Sequence, residues 1–115
     1  AGELHKLPEQ LSDAGCALSG CGPAYVCLFL EALADGGVAC GLSRADARRL
    51  SAETVLGSAA LALASDASPA ELKDAVCSPA GSTIAGVAAL ESGAFRASVM
   101  QAVAEAYRRT RELGK

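Results

Sequence analysis

The segment from Cys77 to Gly86, CSPAGSTIAG, combines turn-forming residues with hydroxyl side chains and the start of a helix. Pro79 and Gly81 interrupt any preceding helix, and Ser82 or Thr83 can open the next one. Such a corner leaves backbone N–H groups and hydroxyls at a helix N-terminus, which can bind a carboxylate or a phosphate. The same residues also fit an ordinary corner between two helices with a serine N-cap, so both interpretations stay open.

Other patterns that could do chemistry are weaker. Gly20-Cys21-Gly22-Pro23 superficially suggests a dinucleotide-binding loop, but no strand pattern precedes it and the third glycine is missing. The five cysteines contain no Cys-x-x-Cys pair, and the single histidine, His5, lies in a polar lead-in. We therefore expect no metal site, no Cys–His catalytic pair and no disulfide framework. The cysteines are interpreted as small buried side chains in a reducing, cytoplasmic compartment.

The composition is unusually apolar for one small domain. Of the 115 residues, 51% are hydrophobic but only 3% are aromatic, and the mean hydropathy is +0.30. A chain this short and apolar is expected to hide part of its surface against a partner. The net charge of −3 argues against nucleic acid. The most apolar run, Pro23 to Ala34, is too short for a bilayer and no signal peptide is recognisable, so no membrane partner is expected.

Helix signals run through the chain without an alternating strand pattern, which predicts one all-α domain of about six helices. The first helix should begin at Pro8 and run to about Leu18, before a break over Ser19 to Gly22. Pro23 then opens a helix that reaches Ala34 or Ala39, where a cluster of glycines loosens or ends it. This second helix is apolar on nearly every face, so we expect it to be buried on nearly every face.

Caps mark the next helices. Ser43 to Asp46 is a variant capping box, and Ser68 to Glu71 is a complete one with a proline in the first turn. The helix between them turns apolar from Val55 to Ala64, which fits either a buried core helix or an oligomer interface. Two further helices should follow, one ending near Glu91 and one starting near Ala94. The last carries an apolar stripe made of Phe95, Val99, Val103 and Tyr107.

Five ordered motifs closely resemble the pyrroline-5-carboxylate reductase family. They are LSGCGPAY at 18–25, EALADGGV at 31–38, ELKD at 71–74, SPAGSTIAG at 78–86 and LESGAFR at 90–96. The resemblance covers only the family's C-terminal part, which implies an interlocking helical dimerisation domain of the 6-phosphogluconate-dehydrogenase-like C-terminal type. It predicts a dimerisation and substrate-binding domain over residues 9–115 and the remnant of an inter-domain junction over residues 1–8.

The resemblance also implies a function. Members of this family reduce 1-pyrroline-5-carboxylate to L-proline, the last step of proline biosynthesis, with NADPH or NADH. The cofactor would be bound mainly by a Rossmann domain that is absent here, so the chain alone should be inactive. The implied partners are a second copy, with larger rings common in the family, and the small-molecule substrate. Two alternatives stay open: a purely structural dimerisation module, and a related reductase for another small carboxylate.

By the same resemblance, the substrate carboxylate is held at Ser78, Gly81, Ser82 and Thr83. The Ser78 hydroxyl donates to the carboxylate, and the backbone N–H groups of Ser82 and Thr83 add the contribution of the helix terminus. Thr83 is the catalytic candidate, because its hydroxyl would lie beside the ring nitrogen and orient the imine for hydride attack.

Three further residues, Ser19, Gly22 and Pro23, are expected near the nicotinamide. The sequence departs from the family pattern at Ala80, which replaces the first glycine of a Gly-Gly pair, and also at Cys21 and Ala94. If position 80 needs a positive φ, alanine there costs about 1 kcal/mol.

Overall fold

A computed structural model of the protein describes residues 7–114, and every regular element in that range is helical. The all-α prediction is therefore confirmed. Residues 7–114 form five helices: α1 (Glu9–Ala39), α2 (Arg44–Ala64), α3 (Pro69–Ala75), α4 (Ser82–Ser92) and α5 (Phe95–Leu113). The described chain forms two compact units, one from the residues up to Val26 with those from Ala94, the other from Cys27–Gly93. His5 and most of the predicted junction over residues 1–8 lie outside the described residues.

The predicted break over Ser19 to Gly22 is a π turn inside α1, which explains why five helices replace six. The π turn spans Cys16–Gly20, and the Cys21 N–H donates to the carbonyl oxygen of Cys16 at 3.0 Å. This bond joins residues five apart, so the helix accommodates one extra residue and continues instead of ending. The hydroxyl of Ser19 also donates to the Gly15 carbonyl oxygen, at 2.8 Å.

Because α1 is continuous, it is long enough to cross a membrane, which neither of the two predicted helices is. By length and composition alone it could cross a membrane, since an 18-residue window within Glu9–Ala39 has a mean hydropathy of 1.5. Core helices of soluble proteins pass the same test, but only 6% of this window is buried. The helix thus presents apolar surface that the chain itself does not cover.

A Schellman motif ends α1 at Gly41, which has a φ of 110°. The Leu42 N–H donates to the Gly37 carbonyl oxygen and the Gly41 N–H to that of Val38, both at 3.0 Å. Of the glycines predicted to loosen or end the helix, Gly41 forms the end, whereas Gly37 is helical and packs close to Leu42. A Cβ atom at position 37 would stand 3.1 Å from the Leu42 side chain.

Ser43 and Ser68 are both N-caps, as predicted, but only the capping box at Ser68 is reciprocal. The Asp46 N–H donates to the Ser43 hydroxyl at 3.1 Å at the start of α2. At the start of α3 the two bonds are reciprocal. The Ser68 N–H donates to the Glu71 carboxylate at 3.0 Å, and the Glu71 N–H donates to the Ser68 hydroxyl at 3.2 Å. The hydrogen bond from the Ser68 N–H, and then the bond with its side chain, lower the pKa of Glu71.

Few side chains are buried within this chain. Among the described residues, burial is confined to Ala17, Ala34, Ala47 and Ser51. The prediction that the helix opened by Pro23 is buried on nearly every face is therefore wrong for one copy of the chain. The reason is that the helices of one copy pack on one another through alanine side chains, so the larger apolar side chains stay exposed to solvent.

The same pattern changes the interpretation of the cysteines and of α2. Cys16, Cys27 and Cys40 are exposed rather than buried, and all the described cysteines are free thiols. On α2, Leu56 is 72% exposed and Leu63 is 90% exposed. A core helix is thereby excluded for the apolar part of α2 within one copy, and the oligomer interface stays a prediction.

Candidate functional site

Ser78 to Gly81 form the turn between α3 and α4. The Gly81 N–H donates to the Ser78 carbonyl oxygen at 3.1 Å, and Ala80 at the third position has a φ of 57°. Proline at the second position and a positive φ at the third are the pattern of a type II turn, whose third position favours glycine. Position 80 therefore has the positive φ on which the sequence-based estimate depended. Alanine there lowers the stability of the turn by about 1 kcal/mol relative to glycine.

Gly81 is needed for space and not for its backbone angles. Its φ of −82° and ψ of 177° are available to any residue. A Cβ atom at this position would collide with the hydroxyl oxygen of Ser78, and it would lie 3.2 Å from the Ser78 carbonyl oxygen. The absence of a side chain at Gly81 thus lets the Ser78 hydroxyl lie against the N-terminus of α4.

No side chain caps α4. Its N-cap is Gly81, and Ser82 and Thr83 are its first two helical residues. The alternative of an ordinary corner with a serine N-cap is therefore wrong, because the N-cap has no side chain. Within the described residues, the exposed hydroxyls of Ser78, Ser82 and Thr83 have no hydrogen-bond partner.

The arrangement suits an anion of carboxylate size. The first N–H groups of an α-helix have no intrahelical partner, and the helix dipole places partial positive charge there. Here those groups adjoin three hydroxyls that can donate as well. The structure thus brings together Ser78, Gly81, Ser82 and Thr83, the four residues predicted for substrate binding.

The residues predicted near a nicotinamide lie around the π turn of α1, in the other compact unit. Ser19 and Pro23 are exposed, and Gly22 has open space beside its Cα. The Ser19 hydroxyl, however, already donates within the helix, to Gly15. The described residues include no strand followed by a glycine-rich turn, the arrangement that binds the pyrophosphate of a dinucleotide in a Rossmann domain.

Two grooves were not predicted. In the second unit, a groove of about 860 Å³ lies between α1 and α2, and the Asp35–Arg44 ion pair, at 2.7 Å, lies on its rim. In the first unit, a groove of about 440 Å³ is lined by Ala14 and by five residues of α5, namely Val99, Met100, Val103, Ala104 and Tyr107. Part of the apolar stripe recognised in the sequence therefore faces this second groove. The first groove had no sequence signal, because its lining is divided between two helices.

Comparison with known families gives one match along almost the whole chain. The family model described as pyrroline-5-carboxylate reductase dimerisation matches residues 9–113. Among curated relatives, the pyrroline-5-carboxylate reductase of Synechocystis sp. is 54% identical over 114 residues, covering 99% of this chain and 43% of the relative. The enzyme of the same name from Pisum sativum is 53% identical over 112 residues, covering 97% of this chain and 41% of the relative.

Solved structures agree with these relatives. The pyrroline carboxylate reductase of Plasmodium falciparum, with NADP bound, superposes with a TM-score of 0.93 at 41% identity, covering 99% of this chain and 45% of that one. The 1-pyrroline-5-carboxylate reductase of Streptococcus pyogenes gives a TM-score of 0.92 at 39% identity, with 96% of this chain and 43% of that one covered. The chain thus spans less than half the length of the proteins it matches.

Proposed function

Since this chain belongs to the pyrroline-5-carboxylate reductase family, we propose that it is the dimerisation and substrate-binding part of an enzyme that reduces 1-pyrroline-5-carboxylate to L-proline. The observation that carries this proposal is the uncapped N-terminus of α4 beside three unpartnered hydroxyls. A small cyclic imine with one carboxylate fits such a corner, because the carboxylate is the group that the helix N-terminus attracts.

Each residue of the corner has its own role in this proposal. The Ser78 hydroxyl and the N–H groups of Ser82 and Thr83 bind the carboxylate of the substrate. The Thr83 hydroxyl donates to or accepts from the ring nitrogen, which orients the imine carbon toward the hydride donor. Gly81 contributes by leaving room for Ser78.

The nicotinamide cofactor, NADPH or NADH, supplies the hydride when it is bound. The described residues contain no site for its pyrophosphate, so we assign its binding mainly to a Rossmann domain of the complete reductase. Ser19, Gly22 and Pro23 are proposed to lie near the nicotinamide. On this basis the chain alone has no reductase activity.

Self-association accounts for the exposed apolar surface. In one copy, large side chains such as Leu56 and Leu63 remain in water, which is unfavourable for a folded domain unless a partner covers them. We therefore propose a homodimer as the working unit, able to build larger rings, in the cytoplasm. Neither nucleic acid nor a membrane is a partner in this proposal.

The test is steady-state kinetics of the complete reductase with Ser78→Ala and Thr83→Ala. Loss of the Ser78 bond to the carboxylate, or of the Thr83 bond that orients the imine, predicts that kcat/KM falls about tenfold or more in each variant, with the oligomeric mass unchanged. Ser92→Ala, at the opposite end of α4, is the matched control and should behave as the parent. Unchanged kinetics in both corner variants would remove these hydroxyls from the site.

A further inference from the structure

Two alanines in the left-handed conformation flank α4. Ala80, with a φ of 57°, precedes the helix, and Ala94, with a φ of 56°, follows it. They are the two non-glycine residues with a positive φ in the described range 7–114. Alanine adopts this conformation at a cost that glycine does not have, because its Cβ crowds the following carbonyl group.

Little in the structure compensates that cost at Ala80. The residue is exposed, and the turn around it is closed by the hydrogen bond from the Gly81 N–H to the Ser78 carbonyl oxygen at 3.1 Å. Strained backbone persists where its surroundings enforce it. Here the surroundings are a solvent-exposed turn, so the strained conformation competes with relaxed ones.

We propose that Ala80 is a positioning residue that weakens and tunes the affinity of the Ser78–Thr83 corner, because the turn conformation that binds the carboxylate is the strained one. This inference rests on the proposed function. The Ser78 hydroxyl lies against Gly81 only while the turn is formed. Relaxation of Ala80 to a negative φ redirects the chain and takes that hydroxyl away from the N-terminus of α4.

The ligand therefore selects the strained turn, since only that turn presents the hydroxyl and the helix N–H groups together. The apparent dissociation constant is the intrinsic one divided by the fraction of molecules with the turn formed. Ala80→Gly removes the steric cost and raises that fraction. We expect KM for the imine and the inhibition constant of proline to fall together by about two- to fivefold, with kcat changed by less than about twofold.

Ala94→Gly is the matched control. It relieves the same kind of strain after α4, in a turn that leads into α5 and contributes nothing to the corner. Ala94→Gly should therefore leave KM and the proline inhibition constant unchanged. Ala80→Val provides the opposite change, because a β-branched residue is less compatible with a positive φ, and it should raise KM.

Hydrogen exchange of the Gly81 amide tests the strain without relying on turnover. In Ala80→Gly this amide should exchange about two- to fivefold more slowly than in the parent, because the turn bond opens less often. Unchanged Gly81 exchange and unchanged KM in Ala80→Gly would overturn the inference, as would an equal fall in KM in Ala94→Gly. Slower exchange in a complete protein that does not reduce 1-pyrroline-5-carboxylate would instead refute the proposed function and leave the strain established.

Discussion

The hydroxyl oxygen of Ser78 lies against the Cα of Gly81, where a side chain at position 81 would have to stand. This contact joins the end of the turn to the start of α4 and holds a hydroxyl beside uncapped helix N–H groups. It also explains why Gly81 is needed for space, whereas the preceding residue, Ala80, is the one with a positive φ.

The first prediction follows from that contact. Gly81→Ala forces the exposed Ser78 side chain to rotate and places a Cβ atom 3.2 Å from the Ser78 carbonyl oxygen, so the free energy of unfolding should fall by about 1 kcal/mol. Substrate affinity should fall with it. Denaturant unfolding and KM of the complete reductase measure the two effects.

A double-mutant cycle checks the cause. In a Ser78→Ala background the new Cβ atom no longer meets a hydroxyl, so Gly81→Ala should cost about 0.5 kcal/mol less than in the parent. If the cost is the same in both backgrounds, the clash with the Ser78 hydroxyl is not what makes glycine necessary.

The second prediction concerns the turn after α4. Ala94→Gly should raise the free energy of unfolding by about 1 kcal/mol, since glycine adopts a φ of 56° without steric cost. Ala97→Gly, inside α5, is the control and should lower it by about 1 kcal/mol, because glycine is a poor helix former there. Two changes of the same sign in chemical or thermal unfolding would contradict the assignment of strain to position 94.

The third prediction is a pH dependence at α3. The capping box holds the pKa of Glu71 below its ordinary value in the folded protein. The unfolded state therefore binds the proton more readily, so this contribution to stability is present above the ordinary glutamate pKa and is lost as the pH falls through the folded value. Glu71→Gln keeps the capping geometry but removes the titration. Its unfolding free energy should depend less on pH in the acidic range, and a pH dependence identical to the parent's would disprove the contribution.

The fourth prediction tests the apolar part of α2. Leu56 and Leu63 are seven residues apart and lie on one face of the helix. If a second copy covers this face, Leu56→Gln with Leu63→Gln should weaken dimerisation at least about 100-fold, because each leucine loses its burial on association. Light scattering should then show a helical monomer. Leu113→Gln is the control, because Leu113 is also exposed but lies near the polar end of α5. A dimer that survives the double substitution would place the interface elsewhere.

Local signals predicted most of the helices and the candidate corner. Caps at Ser43 and Ser68, and the turn formers around Pro79, are interactions between residues a few positions apart, so they can be recognised in the chain itself. Ser78 to Thr83 could also be recognised as one candidate site, because these residues are consecutive in the sequence. The break predicted over Ser19 to Gly22 is absent, because the helix accommodates one extra residue as a π turn. Residue propensities do not distinguish such a turn from the end of a helix.

Burial and the φ values of Ala80 and Ala94 came from the folded structure. An apolar helix has the same sequence pattern whether its own chain or a second copy covers it. The sequence therefore indicated that apolar surface is buried but not whether it is buried within one copy or between two. At position 80 the resemblance pointed to a positive φ, because alanine replaces the first glycine of the family's Gly-Gly pair. Alanine itself gives no local sign of a left-handed conformation at position 80 or 94, since most alanines avoid it. The turn before α4 has this conformation at Ala80, and the contact between Ser78 and Gly81 forms only while that turn is closed.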